Sequence, residues 1–307
     1  MDLNAWLRDT LQQRLEKQDQ WTYLCQGMLQ EDIVENEVRV DKPSILFLQN
    51  EVKALIEEKG IFAAGAIPRP YYRAMAYTLD SCYKHGGRLP PLLLDNPLNM
   101  LTCNNSDRLE QIQIRLSQIV SSNKDSSSVL QEFLFEYLEP EDWRLWLLMR
   151  TTTGSKGWRV MPPSLNQCLT GFSTLYQKQY SLNDTTDTNN KKKKNMQNHI
   201  LTVGAKALSK HWHRDRQNEF WGNCTGSEST KNDHANRVLL KILTNAVWIN
   251  LHSLPHDQAV YEIRESNGYG ARWTTTTTKE GKIQDDWLFR GFLEPQMEDG
   301  HSLGWIH

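Results

Sequence analysis

Leucine recurs every fourth residue at Leu3, Leu7, Leu11 and Leu15. That single apolar stripe predicts a helix near residues 3–17. A second stripe, Ile45, Leu48, Val52, Leu55 and Ile56, follows Pro43-Ser44 and stops at Lys59-Gly60, a good helix end. Residues 70–84 carry a helical pattern as well. Gly86-Gly87 and Pro90-Pro91 then mark a loop. Leu109, Ile112, Leu116 and Ile119 predict a helix opened by Ser106. Further helices are expected from Ser127 to Leu138, from Glu141 to Arg150 behind Pro140, and near 163–178.

Beyond residue 198 the period changes. Helical patterns over 199–214 and 228–246 give way to alternation. Val247, Ile249 and Leu251 point one way, and Trp248, Asn250 and His252 the other. Tyr261 and Ile263 likewise oppose Val260, Glu262 and Arg264. Asn267-Gly268 signals a tight turn into Tyr269–Thr274, and Trp287–Glu294 supplies a last strand. Between the halves, residues 181–198 are Asn, Asp, Thr and Lys with almost nothing apolar, too little to offset the entropy of ordering. The pattern therefore predicts an α+β protein. Residues 1–180 form a mostly helical region, 181–198 a disordered polar linker or insertion, and 199–307 helices packed on a small antiparallel meander.

Composition narrows the class. A chain of 307 residues with 38% hydrophobic and 23% charged residues fits a globular protein with a sizeable core. Its apolar runs are too short to span a bilayer, so no membrane partner is expected. No secretory leader pattern opens the chain, and the five cysteines are scattered. Both point to reduced thiols and an intracellular setting, cytoplasm or nucleus. The net charge of −2 gives no general pull toward nucleic acid.

Eight of the nine histidines and six of the eleven tryptophans lie from residue 199 onwards. The meander's second face would hold Trp248, Asn250, His252, Glu262 and Arg264. A two-residue turn adds Tyr269 and Trp273 to it. A bulged three-residue loop adds Arg272 instead. The plain alternative is a solvated sheet face, on which Glu262 and Arg264 form a surface pair of little worth.

Lys206, Lys210 and either His213 or Arg214 share one side if that segment is helical, a cationic surface suited to phosphate. They also suit an ordinary helix end, where cations meet the dipole. If the segment is extended, His211 and His213 point the same way and could ligate a metal, a weak signal without a fixed third ligand. The run from Ser227 to Asn232 lacks the P-loop ending and reads first as a helix cap. The two-histidine phosphoesterase pattern and the Gly-x-Ser-x-Gly elbow are both absent.

The resulting expectation is a site for a phosphate- or nucleotide-bearing ligand. His211, His252, Glu262 and His301 are the catalytic candidates, because histidine titrates near neutrality without help. Lys206, Lys210, His213, Arg214, Arg264, Tyr269, Arg272 and Trp273 are the ligand-binding candidates. No motif assigns a cofactor. An anionic small molecule ranks first as partner and another protein second. Single-stranded nucleic acid, stacking on Trp248, Tyr269 and Trp273, ranks behind them on net charge. The alternatives are an interaction module using exposed Trp and Arg, and a His-dependent metal hydrolase.

Overall fold

The computed structural model describes residues 2–32, 39–91, 98, 106–122, 126–152, 155, 160–176, 200–213, 219–254, 258–275 and 286–295. The chain is α+β, as the pattern predicts. Helices α1 (Leu3–Leu15), α2 (Thr22–Leu29), α3 (Lys42–Lys59), α4 (Tyr72–Lys84), α5 (Ser106–Ser121) and α6 (Ser126–Glu132) come first. A π-helical turn (Phe133–Tyr137) and a 3-10 helix (Pro140–Leu147) follow, then α7 (Leu165–Ser173), α8 (Val203–His211) and α9 (Glu228–Thr244). The chain then forms β1 (Ala246–Leu254), β2 (Gln258–Glu265), β3 (Gly270–Thr275) and β4 (Trp287–Leu293). These strands pair in chain order as an antiparallel meander.

Helix boundaries depart from expectation where local chemistry intervenes. The helix expected over 127–138 widens after Glu132 into the π turn, and the one behind Pro140 is a 3-10 helix closed by left-handed Leu148. Helix α2 carries no amphipathic stripe to announce it. Tyr23, Leu24, Cys25, Gly27 and Met28 are all buried, so its periodicity vanishes into the core. The predicted linker at 181–198 lies outside the described residues. Its flanks are well defined: Tyr176 N–H donates to the Leu201 carbonyl, and Val203 N–H to that of Thr174. Asp41 N–H donates to the Ser173 carbonyl beside this bridge. Asn232 ties the junction together, accepting from Thr202 N–H and donating to the Ile200 carbonyl.

One apolar cluster runs from Leu7 on α1 to Phe292 on β4. The sheet's core face presents Ile249, Leu251, Tyr261, Ile263, Ala271 and Trp273 to it. Register pairs Ile249 with Ile263, Leu251 with Tyr261, and Tyr261 with Trp273. Helix α9 packs on α3 and β2, while α7 and α8 pack on β4. Trp273 Nε1–H donates to the Cys168 carbonyl of α7 at 2.9 Å, which fixes the sheet against the helices. Cys25, Cys82, Cys168 and Cys224 are buried free thiols, and burial pushes Cys25 and Cys82 up to about 12. Among the described residues no helix is long and apolar enough to cross a membrane.

Helix α8 meets α7 through Gly204, where an added Cβ would lie 2.3 Å from the Phe172 ring. Phe172 is itself fully buried against Phe289 and Phe292, so it has nowhere to go. Gly204→Ala is therefore expected to destabilise the fold by about 1–3 kcal/mol through overpacking. Chemical denaturation of the two proteins checks this. An unchanged midpoint would mean that α8 is not seated this closely.

Candidate functional site

The second face of the sheet is polar and largely buried. Register places Trp248 opposite Arg264, and Asn250 opposite Glu262. Glu262 in turn faces Arg272 on β3. Burial excludes the solvated-face alternative: Asn250, Glu262 and Arg264 are each 3% exposed or less.

The hairpin between β2 and β3 decides which residues join this face. Glu265 N–H bonds to the Tyr269 carbonyl, and Gly268 N–H to that of Glu265. Ser266, Asn267 and Gly268 thus form a three-residue loop, with Gly268 at φ +87° supplying the left-handed residue such a loop needs. Glu265 holds the loop through bonds accepted from Asn267 N–H and Tyr269 N–H. The bulged alternative is the one realised, so Arg272 enters the polar face. Tyr269 and Trp273, named as ligand-binding candidates, are instead buried in the core. Tyr269 stacks on Phe220 with ring centroids 3.9 Å apart.

Glu262 is the centre of the arrangement. Oε1 accepts from Arg264 Nε at 2.6 Å. Oε2 accepts from Arg272 Nε at 2.9 Å and Nη2 at 2.7 Å, and from His252 Nε2 at 3.2 Å. Burial alone would raise this carboxyl's pKa. The hydrogen bond from His252 and the charges of Arg264 and Arg272 outweigh it and hold Glu262 well below the usual carboxylate range. Beside an ionised carboxylate Nε2 carries the shared hydrogen, while Nδ1 makes a longer contact of 3.4 Å with the Ser253 carbonyl oxygen. His252 and Arg272 keep 16% and 21% of their side chains exposed, against 2% for Glu262. Solvent therefore reaches the histidine and one arginine, while the carboxylate that orients them is sealed.

Arg264 extends the network. Its Nη1 donates to the Gly268 and Glu294 carbonyls at 2.5 and 2.9 Å. The Glu294 carboxylate accepts from His211 Nδ1 at 2.7 Å, at the end of α8. His211 and Glu262 are thus joined through Glu294 and Arg264.

The other candidates fall as follows. Helix α8 ends at His211, leaving exposed His213 beyond it in a turn. Lys210 is exposed, and Lys206 Nζ lies 5.3 Å from the centre of the Tyr176 ring. Arg214 and His301 lie outside the described residues. Ser227 caps α9 by accepting from Thr230 N–H. Among the described residues no three His, Cys, Asp or Glu are grouped to hold a metal, and His211 is engaged by Glu294.

Sequence reasoning missed the part of this face built by the first half of the chain. Arg144, in the 3-10 helix, donates from Nη2 to Asn250 Oδ1 at 2.6 Å and to the Arg150 carbonyl at 2.8 Å. Burial pulls its pKa down to about 10. Ser155 Oγ also donates to Asn250 Oδ1, and Asn250 Nδ2 donates to Thr152 Oγ1. No local spacing announces contacts across about a hundred residues. Glu294 was missed too, although its place at the end of the last predicted strand was visible.

A family model described as the CdiA C-terminal tRNase toxin domain matches residues 188–294, about a third of the chain. No curated protein and no solved structure matches it. The matched stretch covers α8, α9 and all four strands, with His211, His252, Glu262, Arg264, Arg272 and Glu294 inside it. This similarity is compatible with action on a nucleic acid. It corrects the partner ranking made from net charge, which put nucleic acid behind an anionic small molecule. Charge averaged over a chain does not report the charge facing a substrate.

Removing Glu262 would leave two arginines buried or half-buried without their counter-charge. Glu262→Ala is expected to destabilise the protein by about 3–5 kcal/mol. The native state favours the ionised carboxylate. Its stabilising contribution is therefore complete above the unfolded-state pKa of about 4.3 and is lost as pH falls below it. Denaturation midpoints from pH 7 to pH 3 check both statements. The gap between the two proteins should narrow toward acid, and a gap that widens would contradict the charge assignment.

Proposed function

We propose that residues 188–294 form a ribonuclease-like toxin domain acting on tRNA, with its chemistry on the polar sheet face. The observation that carries this reading is the buried Glu262 carboxylate, which orients His252 and Arg272 together within the matched stretch. RNA places a 2′-hydroxyl beside each phosphodiester. His252 Nδ1 exchanges its long contact with the Ser253 carbonyl for the substrate and takes the 2′-hydroxyl proton as the O2′–P bond forms. The P–O5′ bond breaks, and the imidazolium returns the proton to O5′. The products are a 2′,3′-cyclic phosphate and a free 5′-hydroxyl.

Arg272 commits Nε and Nη2 to Glu262, which leaves Nη1 for the phosphate oxygens as charge develops on them. Access is from the β4 side. Gly291 lies opposite Arg272 in register, and a Cβ there would meet nothing within 4 Å. Lys206, Lys210 and His213 provide cationic and hydrogen-bonding contacts for flanking phosphates.

Incubation of the full chain with tRNA tests this. His252→Ala is expected to lower kcat by about 10²- to 10⁴-fold, with the denaturation midpoint little changed. Cleaved ends should carry the cyclic phosphate. No cleavage by the wild-type chain, or full activity in His252→Ala, would defeat the proposal.

Lys206→Ala with Lys210→Ala should weaken RNA binding rather than turnover. For single strands the slope of log affinity against log salt falls by about 0.7 per lost phosphate contact. A salt titration of binding reads this directly, and an unchanged slope would place these lysines off the RNA path.

A further inference from the structure

The family match begins at residue 188, yet the polar face is completed by residues well before it. After the 3-10 helix the chain runs along the open edge of β1. Arg150 N–H donates to the Ile249 carbonyl at 2.7 Å, and Ser155 forms an antiparallel bridge with His252. Three side chains from this stretch converge on Asn250. Arg144 Nη2 and Ser155 Oγ donate to its Oδ1, and Thr152 Oγ1 accepts from its Nδ2. Ser155 Oγ also accepts from Thr152 N–H, which holds the turn that delivers both hydroxyls. Arg144 further donates to the Leu251 carbonyl, the residue before His252.

Asn250 is therefore held at both its amide oxygen and its amide nitrogen by the N-terminal half. It sits directly across from Glu262 and two residues from His252 on the same face. We infer that Arg144, Thr152 and Ser155 are positioning residues which act through Asn250 and the β1 backbone to set His252 against Glu262. The site is then shared between the two halves and is not a property of the matched stretch alone. This inference rests on the ribonuclease reading.

The logic is geometric. Asn250 and His252 lie on an edge strand, whose outer hydrogen-bonding groups need partners. The 144–155 stretch supplies those partners and also clamps a side chain of the strand. Arg144 meets three acceptors from the one nitrogen Nη2, held in place by a rigid planar group, whereas a lysine ammonium would bring the charge on a flexible stem. Displacement of a proton-transfer group by about 1 Å can cost about 100-fold in rate.

The test uses the full chain with tRNA and four variants: Asn250→Ala, Ser155→Ala, Arg144→Met and Arg144→Lys. Asn250→Ala is expected to lower kcat by about 10- to 100-fold, and Ser155→Ala by about 3- to 10-fold, with KM within about twofold of wild type. Arg144→Lys should recover part of the activity lost in Arg144→Met. The imidazole NMR resonances of His252 should move in Ser155→Ala while those of His85 stay in place.

Unchanged kcat and unchanged His252 resonances in folded Ser155→Ala would overturn the inference, even if larger substitutions unfold the chain. A loss carried by KM would overturn it too. Wild-type protein that leaves tRNA intact defeats the ribonuclease reading instead. The His252 resonances then still decide whether the N-terminal stretch sets that ring.

Discussion

A single carboxylate organises the polar side of this molecule. Glu262 lies in the interior with Arg264, Arg272 and His252 all directed at its two oxygens. Moving such a group out of water is costly, and attraction to its partners recovers that cost only when geometry is good and every lone pair is used. Here Oε2 accepts three hydrogen bonds and Oε1 one. The consequence is rigidity: neither Arg272 nor His252 can turn away without stranding a buried charge. The sheet register that sets Glu262 opposite both Asn250 and Arg272 is thereby fixed by electrostatics on one face and by apolar packing on the other.

That arrangement explains why the meander depends on the first half of the chain. A four-stranded sheet with one apolar face is covered by α7, α8 and α9, but its polar face and its β1 edge would be left to water. Water around Glu262 would screen the charges that keep it ionised and would free His252 to rotate. Arg144, Arg150, Thr152 and Ser155 engage that edge. Buried ion networks are poor contributors to net stability, because well-packed apolar residues do as well. Retaining four polar groups on a face that could have been apolar therefore fits a site better than it fits a scaffold.

Much of the fold was legible because one face of each element repeats. Alternation over Trp248–His252 and Val260–Arg264 assigned both faces of the sheet correctly, while Val247 falls at a register shift of β1 and has no cross-strand partner; the stripes of α1 and α3 located those helices. Where periodicity was absent the reading failed. Helix α2 is buried nearly all round, so no stripe marks it. The hairpin was undecided because one extra loop residue reverses every side chain after it. Only the Glu265 and Tyr269 backbone bonds show that Arg272, not Trp273, faces Glu262. Tyr269 and Trp273 drew attention as aromatic residues beside arginines, yet that chemistry serves a core equally well. The contacts of Arg144 and Glu294 were out of reach, since they join segments that share no local pattern.

Net charge misled for a related reason. A value of −2 for the whole chain averages over residues that face nothing in common. On the polar sheet face the Glu262 charge is matched by Arg264, buried like it, and by Arg272, which is partly exposed. The exposed portion belongs to Arg272 and His252, and the carboxylate is sealed beneath them. Solvent reaches the Arg272 guanidinium and not the Glu262 carboxylate. Burying the anion while one counter-charge stays partly exposed is an arrangement that a whole-chain sum of −2 does not reveal. The same burial that aims His252 and Arg272 at Glu262 leaves those two side chains as the exposed part of the network.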